Sequence, residues 1–281
     1  MVERIAVLGA GTMGQGIAQI AATSGLDTCL HDLSEDALER ARTQIEQMVQ
    51  KGIDKGKLPD DTLAELQQKL RYDVDPTTAV ADCDCVVEAI FEDLDLKAKV
   101  LGAVAENVSE ECLLASNTSS LSITGIAARV PAPGRVVGMH FFNPVPIMAL
   151  VEVVRGVDSA DAHVQRTVEL AKRLGKEPIV VRDTPGFATS RLGLVIGLEA
   201  MRMLESGVAS AVEIDKAMEL GYRHPMGPLK LTDLVGLDVR LAIAEHLHKE
   251  IGEQFRPPAI LRNMVRAGRL GRKSGRGFYD W

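Results

Sequence analysis

The stretch Glu3-Arg4-Ile5-Ala6-Val7-Leu8, running straight into Gly9-Ala10-Gly11-Thr12-Met13-Gly14, decides the fold. Its first half is a short apolar run containing β-branched residues, which reads as a buried strand. Ile17, Ile20 and Ala21 then recur at helical spacing, and Gly25 stands where a helix C-cap belongs. Thr28-Cys29-Leu30-His31-Asp32 is a second short strand. This order of strand, glycine loop, helix and strand gives the GxGxxG pattern its meaning. The glycines permit a tight turn and close backbone approach, and the amides at the helix start meet a pyrophosphate. Asp32 lies 18 residues after Gly14, at the end of the second strand. A carboxylate there accepts hydrogen bonds from a ribose diol and repels a 2′-phosphate. The loop Gly9–Gly14 and Asp32 are therefore read as a dinucleotide site that selects NAD over NADP.

Residues 36–70 interrupt the β/α rhythm. Helical patterns at about 35–51 and 60–70 flank a turn rich in Gly, Lys and Pro, which predicts an inserted helical hairpin. Its turn carries Lys51, Lys55 and Lys57, which by themselves read as a solvated, charged turn. Strands are predicted again at 84–90, 113–116 and 135–142, with a helix at about 95–107. Asn143-Pro144-Val145-Pro146 breaks the chain before an extended run at 149–154, which predicts an antiparallel pair. A helix at 161–174 and a strand at 178–182 complete the sheet. Beyond Asp183-Thr184-Pro185-Gly186 the patterns at 187–206, 210–220 and 231–268 are helical. The fold class is thus α/β. A doubly wound, mostly parallel sheet with its hairpin occupies 1–183, and a smaller all-α domain occupies 184–281.

The chain has 281 residues, 46% hydrophobic and 25% charged, enough to bury a sizeable core over about two domains. A net charge of −7 without a dense basic stripe argues against nucleic acid as a partner. Charges interrupt every apolar run well short of the ~20 residues of a membrane span, and the N-terminus lacks a signal-peptide pattern. Cys29, Cys83, Cys85 and Cys112 lack CxxC spacing and read as buried thiols of a cytoplasmic protein. The histidines do not converge by spacing, so no metal site is expected.

His140 sits on an apolar strand, and Glu152 lies on the strand that returns after the turn. Across such a ladder the two can face each other. A carboxylate on one imidazole nitrogen fixes the tautomer, favours protonation and leaves the other nitrogen to take a proton. The same pair is equally readable as a buried structural ion pair. Ser116-Asn117-Thr118-Ser119-Ser120 follows a strand at the carboxyl edge of the sheet, where doubly wound folds bind ligands. It also suits N-capping of a helix beginning at Ile123. Asn143, just before Pro144, is a ligand contact or a turn former.

The chain resembles the 3-hydroxyacyl-CoA dehydrogenase family, in its single-function 3-hydroxybutyryl-CoA dehydrogenase form. The resemblance runs nearly end to end, through GAGTMGQGIA (9–18), VVEAIFEDLDLK (86–97), SNTSSLSI (116–123), GMHFFNPVPIMALVEVVRG (138–156), DTPGF (183–187), HPMGPLKLTDLVGLD (224–238) and GRKSGRGFYDW (271–281). It implies a Rossmann-type domain and an NAD-dependent interconversion of short-chain (3S)-3-hydroxyacyl-CoA and 3-oxoacyl-CoA, of the fatty-acid or butanoate type. By matching position, His140 is the base, Glu152 its carboxylate partner and Ser119 the contact to the substrate C3 oxygen. Asn143 holds substrate and cofactor. Glu92, Lys97 and Lys273 belong to the cofactor site, and Lys51 and Lys55 to the CoA phosphates. The resemblance also implies a homodimer formed through the helical domain. One position departs from the pattern. Ser190 stands where the family commonly has an asparagine that orients the acyl-CoA, so reach and one amide donor are lost. Two other readings remain: a dehydrogenase of a free hydroxy acid, such as gulonate, and a catalytically idle NADH-binding relative.

Overall fold

A computed structural model of the chain describes residues 2–281. Its contacts divide the chain into two compact units, with the boundary between Thr184 and Pro185.

The first unit contains, in chain order, β1 (Arg4–Leu8), α1 (Thr12–Thr23), β2 (Asp27–His31), α2 (Glu35–Asp54), α3 (Thr62–Lys69), β3 (Leu70–Asp73), α4 (Pro76–Val80), β4 (Cys85–Glu88), α5 (Leu94–Ala105), β5 (Leu113–Ser116), α6 (Ile123–Ala127), β6 (Val136–Phe141), β7 (Leu150–Arg155), α7 (Asp161–Arg173) and β8 (Glu177–Arg182). The strands form one 8-stranded sheet in the order β3-β2-β1-β4-β5-β6-β7-β8. All pairings are parallel except β6 with β7, which is antiparallel. The chain runs outward from β1 to β3 and then restarts on the other side with β4. That reversal makes the crevice beyond β1 and β4 the topological switch point, where ligands of such sheets bind.

The central strands are buried along their length, as parallel strands covered by helices must be. Ile5, Val7, Leu30, Val87, Leu113 and Ala115 anchor a core that also takes Ile17 and Ala21 from α1 and Ile45 from α2. Helix starts follow local chemistry. Ser34 accepts a hydrogen bond from the Ala37 amide ahead of an acidic first turn in α2, and Asp93 accepts one from the Leu96 amide at α5. The edge strand β8 carries Glu177 and Arg182 at its ends and lies largely exposed. The cysteines are buried and free, and burial pushes the thiols of Cys29 and Cys112 up to about 12, which keeps them unreactive.

The second unit holds α8 (Thr189–Glu205), α9 (Ala211–Gly221), α10 (Pro228–Val235), α11 (Leu237–Glu250) and α12 (Ala259–Arg266) around Leu194, Leu198, Met201, Leu229 and Leu247. Ser210 and Glu213 form a capping box at α9. The single helical pattern expected over 231–268 is cut twice. Gly236 turns with φ +106°, and Pro257-Pro258 precede α12. No helix of the described residues is long and apolar enough to cross a membrane.

Candidate active site

The loop after β1 crosses the switch point, and its glycines are there for space. A Cβ on Gly14 would lie 1.8 Å from the Gly9 carbonyl oxygen, and one on Gly9 would lie 2.7 Å from the Ala89 carbonyl oxygen. Gly9 also adopts φ +103°, which side chains rarely tolerate. Gly11 differs, because a Cβ there would meet nothing within 4 Å. No side chain caps α1, so its first amides point into the open space ahead of Gly11. That arrangement fits a diphosphate.

Beside this loop lies a cavity of about 620 Å³, lined among others by Gly11, Met13, Asp32, Ile90, Phe91 and Val104. Phe91 and Leu33 on its lining are more than four-fifths exposed, leaving apolar faces for a flat aromatic ring. Asp32 has structural duties too. One of its oxygens accepts from the Ala10 amide at 2.9 Å and the other from the Ser34 amide at 3.0 Å. Each carboxylate oxygen keeps a second lone pair for a diol. Loop, carboxylate and apolar cavity together fit NAD.

Two strands beyond β4 in the sheet, β6 and its neighbour β7 place His140 directly opposite Glu152 in register. Imidazole Nδ1 lies 2.8 Å from the Glu152 carboxylate, and the carboxylate is fully buried. A carboxylate can only accept, so Nδ1 is the donor and Nε2 is the basic nitrogen. Phe142 tilts against the imidazole with ring centroids 4.5 Å apart. The expected break after β6 is present: the chain turns at Asn143 and Pro144 and re-enters the sheet at Leu150. Lys176 clamps this turn from below, donating to the Val145 and Met148 carbonyls at 2.6 and 2.9 Å. Asn117 ties β5 to β6 by accepting from the Phe141 amide at 2.9 Å.

The capping expected within 116–120 falls outside that segment. Ser122 N-caps α6, accepting from the Gly125 amide at 3.0 Å. Ser119 instead faces Glu92, whose Oε1 accepts from the Ser119 amide at 3.0 Å, the Ser119 hydroxyl at 3.3 Å and the Thr118 hydroxyl at 2.6 Å. Lys97 is buried beneath the same loop. Its ammonium lies 2.6 Å from Glu88, 3.2 Å from the Ile90 carbonyl and 3.4 Å from Glu92. Glu88 also accepts from the Ser116 hydroxyl at 2.6 Å and the Ile90 amide at 2.8 Å.

Within the first unit, then, the glycine loop and Asp32 line one cavity, while Glu92, Lys97 and Ser119 join one network and His140 meets Glu152. Lys51 and Lys55 are exposed at the end of α2. Ser190 and Lys273 belong to the second unit, Ser190 in the first turn of α8 and Lys273 with its ammonium 2.6 Å from Asp238. Glu88 and Lys176 escaped the reading of the sequence, and Asn117 entered it only as part of the 116–120 segment. For Glu88 a signal existed: an acid closing an otherwise apolar strand has to be paired if it is buried.

Comparison with known proteins adds to this geometry. Residues 4–184 match the family model for the NAD binding domain of 3-hydroxyacyl-CoA dehydrogenase, and residues 186–281 match that for its C-terminal domain. A 3-hydroxybutyryl-CoA dehydrogenase of Clostridioides difficile is 43% identical over 99% of both chains. The 3-hydroxyadipyl-CoA dehydrogenase of Escherichia coli K12 is 42% identical over all of this chain and 59% of its own length. The crystal structure of (S)-3-hydroxybutyryl-CoA dehydrogenase from Ralstonia eutropha superposes with a TM-score of 0.96 at 41% identity, covering 100% of this chain and 99% of that one.

Proposed function

On the premise that the chain belongs to the 3-hydroxyacyl-CoA dehydrogenase family and is an NAD-dependent enzyme of that class, we propose that it interconverts (3S)-3-hydroxybutyryl-CoA and acetoacetyl-CoA with His140 as the base at C3. The contact between His140 Nδ1 and Glu152 carries this reading. Bound cofactor accepts or supplies the hydride. His140 takes the hydroxyl proton at Nε2 in the oxidation and returns it in the reduction. Glu152 stabilises the imidazolium that forms, as a carboxylate does for a histidine in hydrolytic triads. Ser119 and Asn143 hold the C3 oxygen and acyl group, so that their contribution is orientation. Proton transfer contributes roughly 10²–10⁴-fold.

Asp32 selects NAD through the ribose diol, and Glu92 and Lys97 support the loop that faces the cofactor. Lys51 and Lys55 are assigned to the CoA phosphates, Ser190 to the acyl group and Lys273 to the cofactor on the strength of the family resemblance. The enzyme is read as a cytoplasmic homodimer paired through its helical unit. The exposed apolar residues Leu234, Val235 and Val239 support that pairing.

Loss of NADH absorbance tests the reading, with acetoacetyl-CoA, 3-oxoadipyl-CoA and free acetoacetate compared. Turnover fastest with acetoacetyl-CoA supports it. Preference for the dicarboxylic thioester would keep the class and change the acyl group. Turnover of the free acid alone would replace it with a hydroxy-acid dehydrogenase.

A further inference from the structure

Two carboxylates share the Lys97 ammonium unequally. Glu88, at the end of β4, holds it at 2.6 Å, while Glu92 stands 3.4 Å away. Glu88 is wholly buried and directly paired in register with Ser116, so its side chain has little freedom to move. Glu92 is partly exposed, and its hold on the ammonium is the longer of the two. Its other oxygen is the one that accepts from Thr118 and from the amide and hydroxyl of Ser119. Opposite charges attract far more strongly in a dry interior than in water. Without the charge of Glu88, therefore, the ammonium has one carboxylate left to pair with and draws Glu92 in.

We propose that Glu88 is a positioning residue for the reaction: by taking the larger share of the Lys97 ammonium, it leaves Glu92 turned toward Ser119. Of the three donors on that Glu92 oxygen, the Ser119 hydroxyl is the most distant at 3.3 Å. Thr118 and the Ser119 amide thus fix the segment, and the hydroxyl is the bond most readily exchanged for a substrate oxygen. Glu88 acts through Lys97, Glu92 and Ser119, three residues removed from the C3 oxygen. The Glu88 oxygen that holds Lys97 also accepts from the amide of Ile90, which lines the cavity beside the glycine loop, and the second oxygen accepts from the Ser116 hydroxyl.

The proposal rests on the acyl-CoA reading, which turnover of acetoacetyl-CoA by the wild-type enzyme tests separately. Glu88→Gln removes the charge but keeps an oxygen for the Ile90 amide and a nitrogen for the Ser116 hydroxyl. It is expected to lower kcat by at least about tenfold, because misplacing a substrate contact is costly. NADH affinity, read by fluorescence titration, should stay within about threefold, since the loop backbone keeps its hydrogen bonds. A crystal structure of the variant should show the Lys97–Glu92 separation shortened from 3.4 Å to about 2.8 Å and the Ser119 hydroxyl no longer bonded to Glu92, a readout that does not depend on the substrate. The double variant Glu88→Gln/Lys97→Met removes the ammonium that captures Glu92 and should turn over at least about fivefold faster than the single one, as buried pairs often tolerate joint neutralisation. A single variant with wild-type kcat, or a double variant no faster than the single, would overturn the proposal. If Glu88→Gln does not fold, Glu88→Asp decides: its shorter side chain holds the ammonium less closely, so Lys97 should approach Glu92 to less than the present 3.4 Å and kcat should fall, whereas an unchanged separation or a wild-type kcat overturns the proposal.

Discussion

His140 and Glu152 are direct partners in the antiparallel ladder of β6 and β7, with Nδ1 held 2.8 Å from a carboxylate that no solvent reaches. The orientation of the base is therefore set by strand register, which a one-residue slip would destroy by turning both side chains to the other face. A buried carboxylate is costly unless it is hydrogen-bonded, and here the imidazole supplies that bond. One contact thus serves the sheet and the proton transfer together.

Replacing Glu152 by Gln keeps the shape and removes the charge that stabilises the imidazolium. We expect kcat to fall about 10²–10³-fold, within the range that general acid–base catalysis supplies, while the fold survives. Steady-state kinetics alongside thermal unfolding check this. Wild-type kcat in a folded variant would confine Glu152 to a structural role.

Asp32 is expected to separate NADH from NADPH. Asp32→Asn retains an oxygen for the Ala10 amide but loses the charge, and should weaken NADH by about tenfold through loss of charge-assisted bonds. NADPH should weaken less or improve, because the repulsion of its 2′-phosphate is gone. Unchanged discrimination in parallel fluorescence titrations would remove Asp32 as the selector.

Two glycines of one loop should behave in opposite ways. Gly14→Ala drives a methyl to 1.8 Å from the Gly9 carbonyl oxygen and is expected to cost about 3 kcal/mol or more. Gly11→Ala meets no protein atom within 4 Å, so its urea midpoint should match wild type. Its methyl enters the space assigned to the diphosphate, and NADH affinity should drop. Wild-type NADH affinity in Gly11→Ala would move the diphosphate elsewhere.

Acid should loosen the start of α4, whose Pro76 and Thr77 line the cavity beside the glycine loop, through Asp73. The Thr78 hydroxyl at 2.7 Å and then the Asp75 amide hold this carboxyl below the usual carboxylate range, against the opposing effect of burial. A carboxyl depressed in the folded state stabilises above its unfolded value of about 3.9, and that contribution disappears as pH falls through the lower folded value. Wild type should therefore be more stable than Asp73→Asn at neutral pH, and the gap in urea unfolding should close below about pH 4. A gap that stays constant down to about pH 3 would show that the charge of Asp73 contributes nothing.

Sequence periodicity revealed β1, the glycine loop, α1 and β2 because each has a strong local signature, and the hairpin stood out as two helical stretches around a turn. β3 and α4 did not stand out. Leu70–Asp73 is four residues long, and the helix starting at Pro76 has five, too few for a period to declare itself. That His140 and Glu152 can face each other was legible because two extended runs separated by a Pro-rich break read as antiparallel neighbours, but the eight residues between Phe141 and Leu150 are too long a connection to fix the register from sequence. The positions of Lys97 and Lys176 were not, since their partners Glu88, Val145 and Met148 meet them only through tertiary packing. The capping expected of Ser116–Ser120 falls instead to Ser122, because the cap has to stand directly before Ile123, the first residue of α6, while Ser119 meets Glu92.

The most direct test of the account is a paired measurement on His140→Gln: turnover of acetoacetyl-CoA by NADH absorbance, and NADH binding by fluorescence titration on the same preparation. A loss of kcat of about 10²–10⁴-fold with NADH affinity unchanged is the predicted result, because glutamine keeps a polar side chain but cannot carry the proton. Parallel loss of turnover and NADH binding, or turnover at the wild-type rate, would contradict the assignment of His140 as the base.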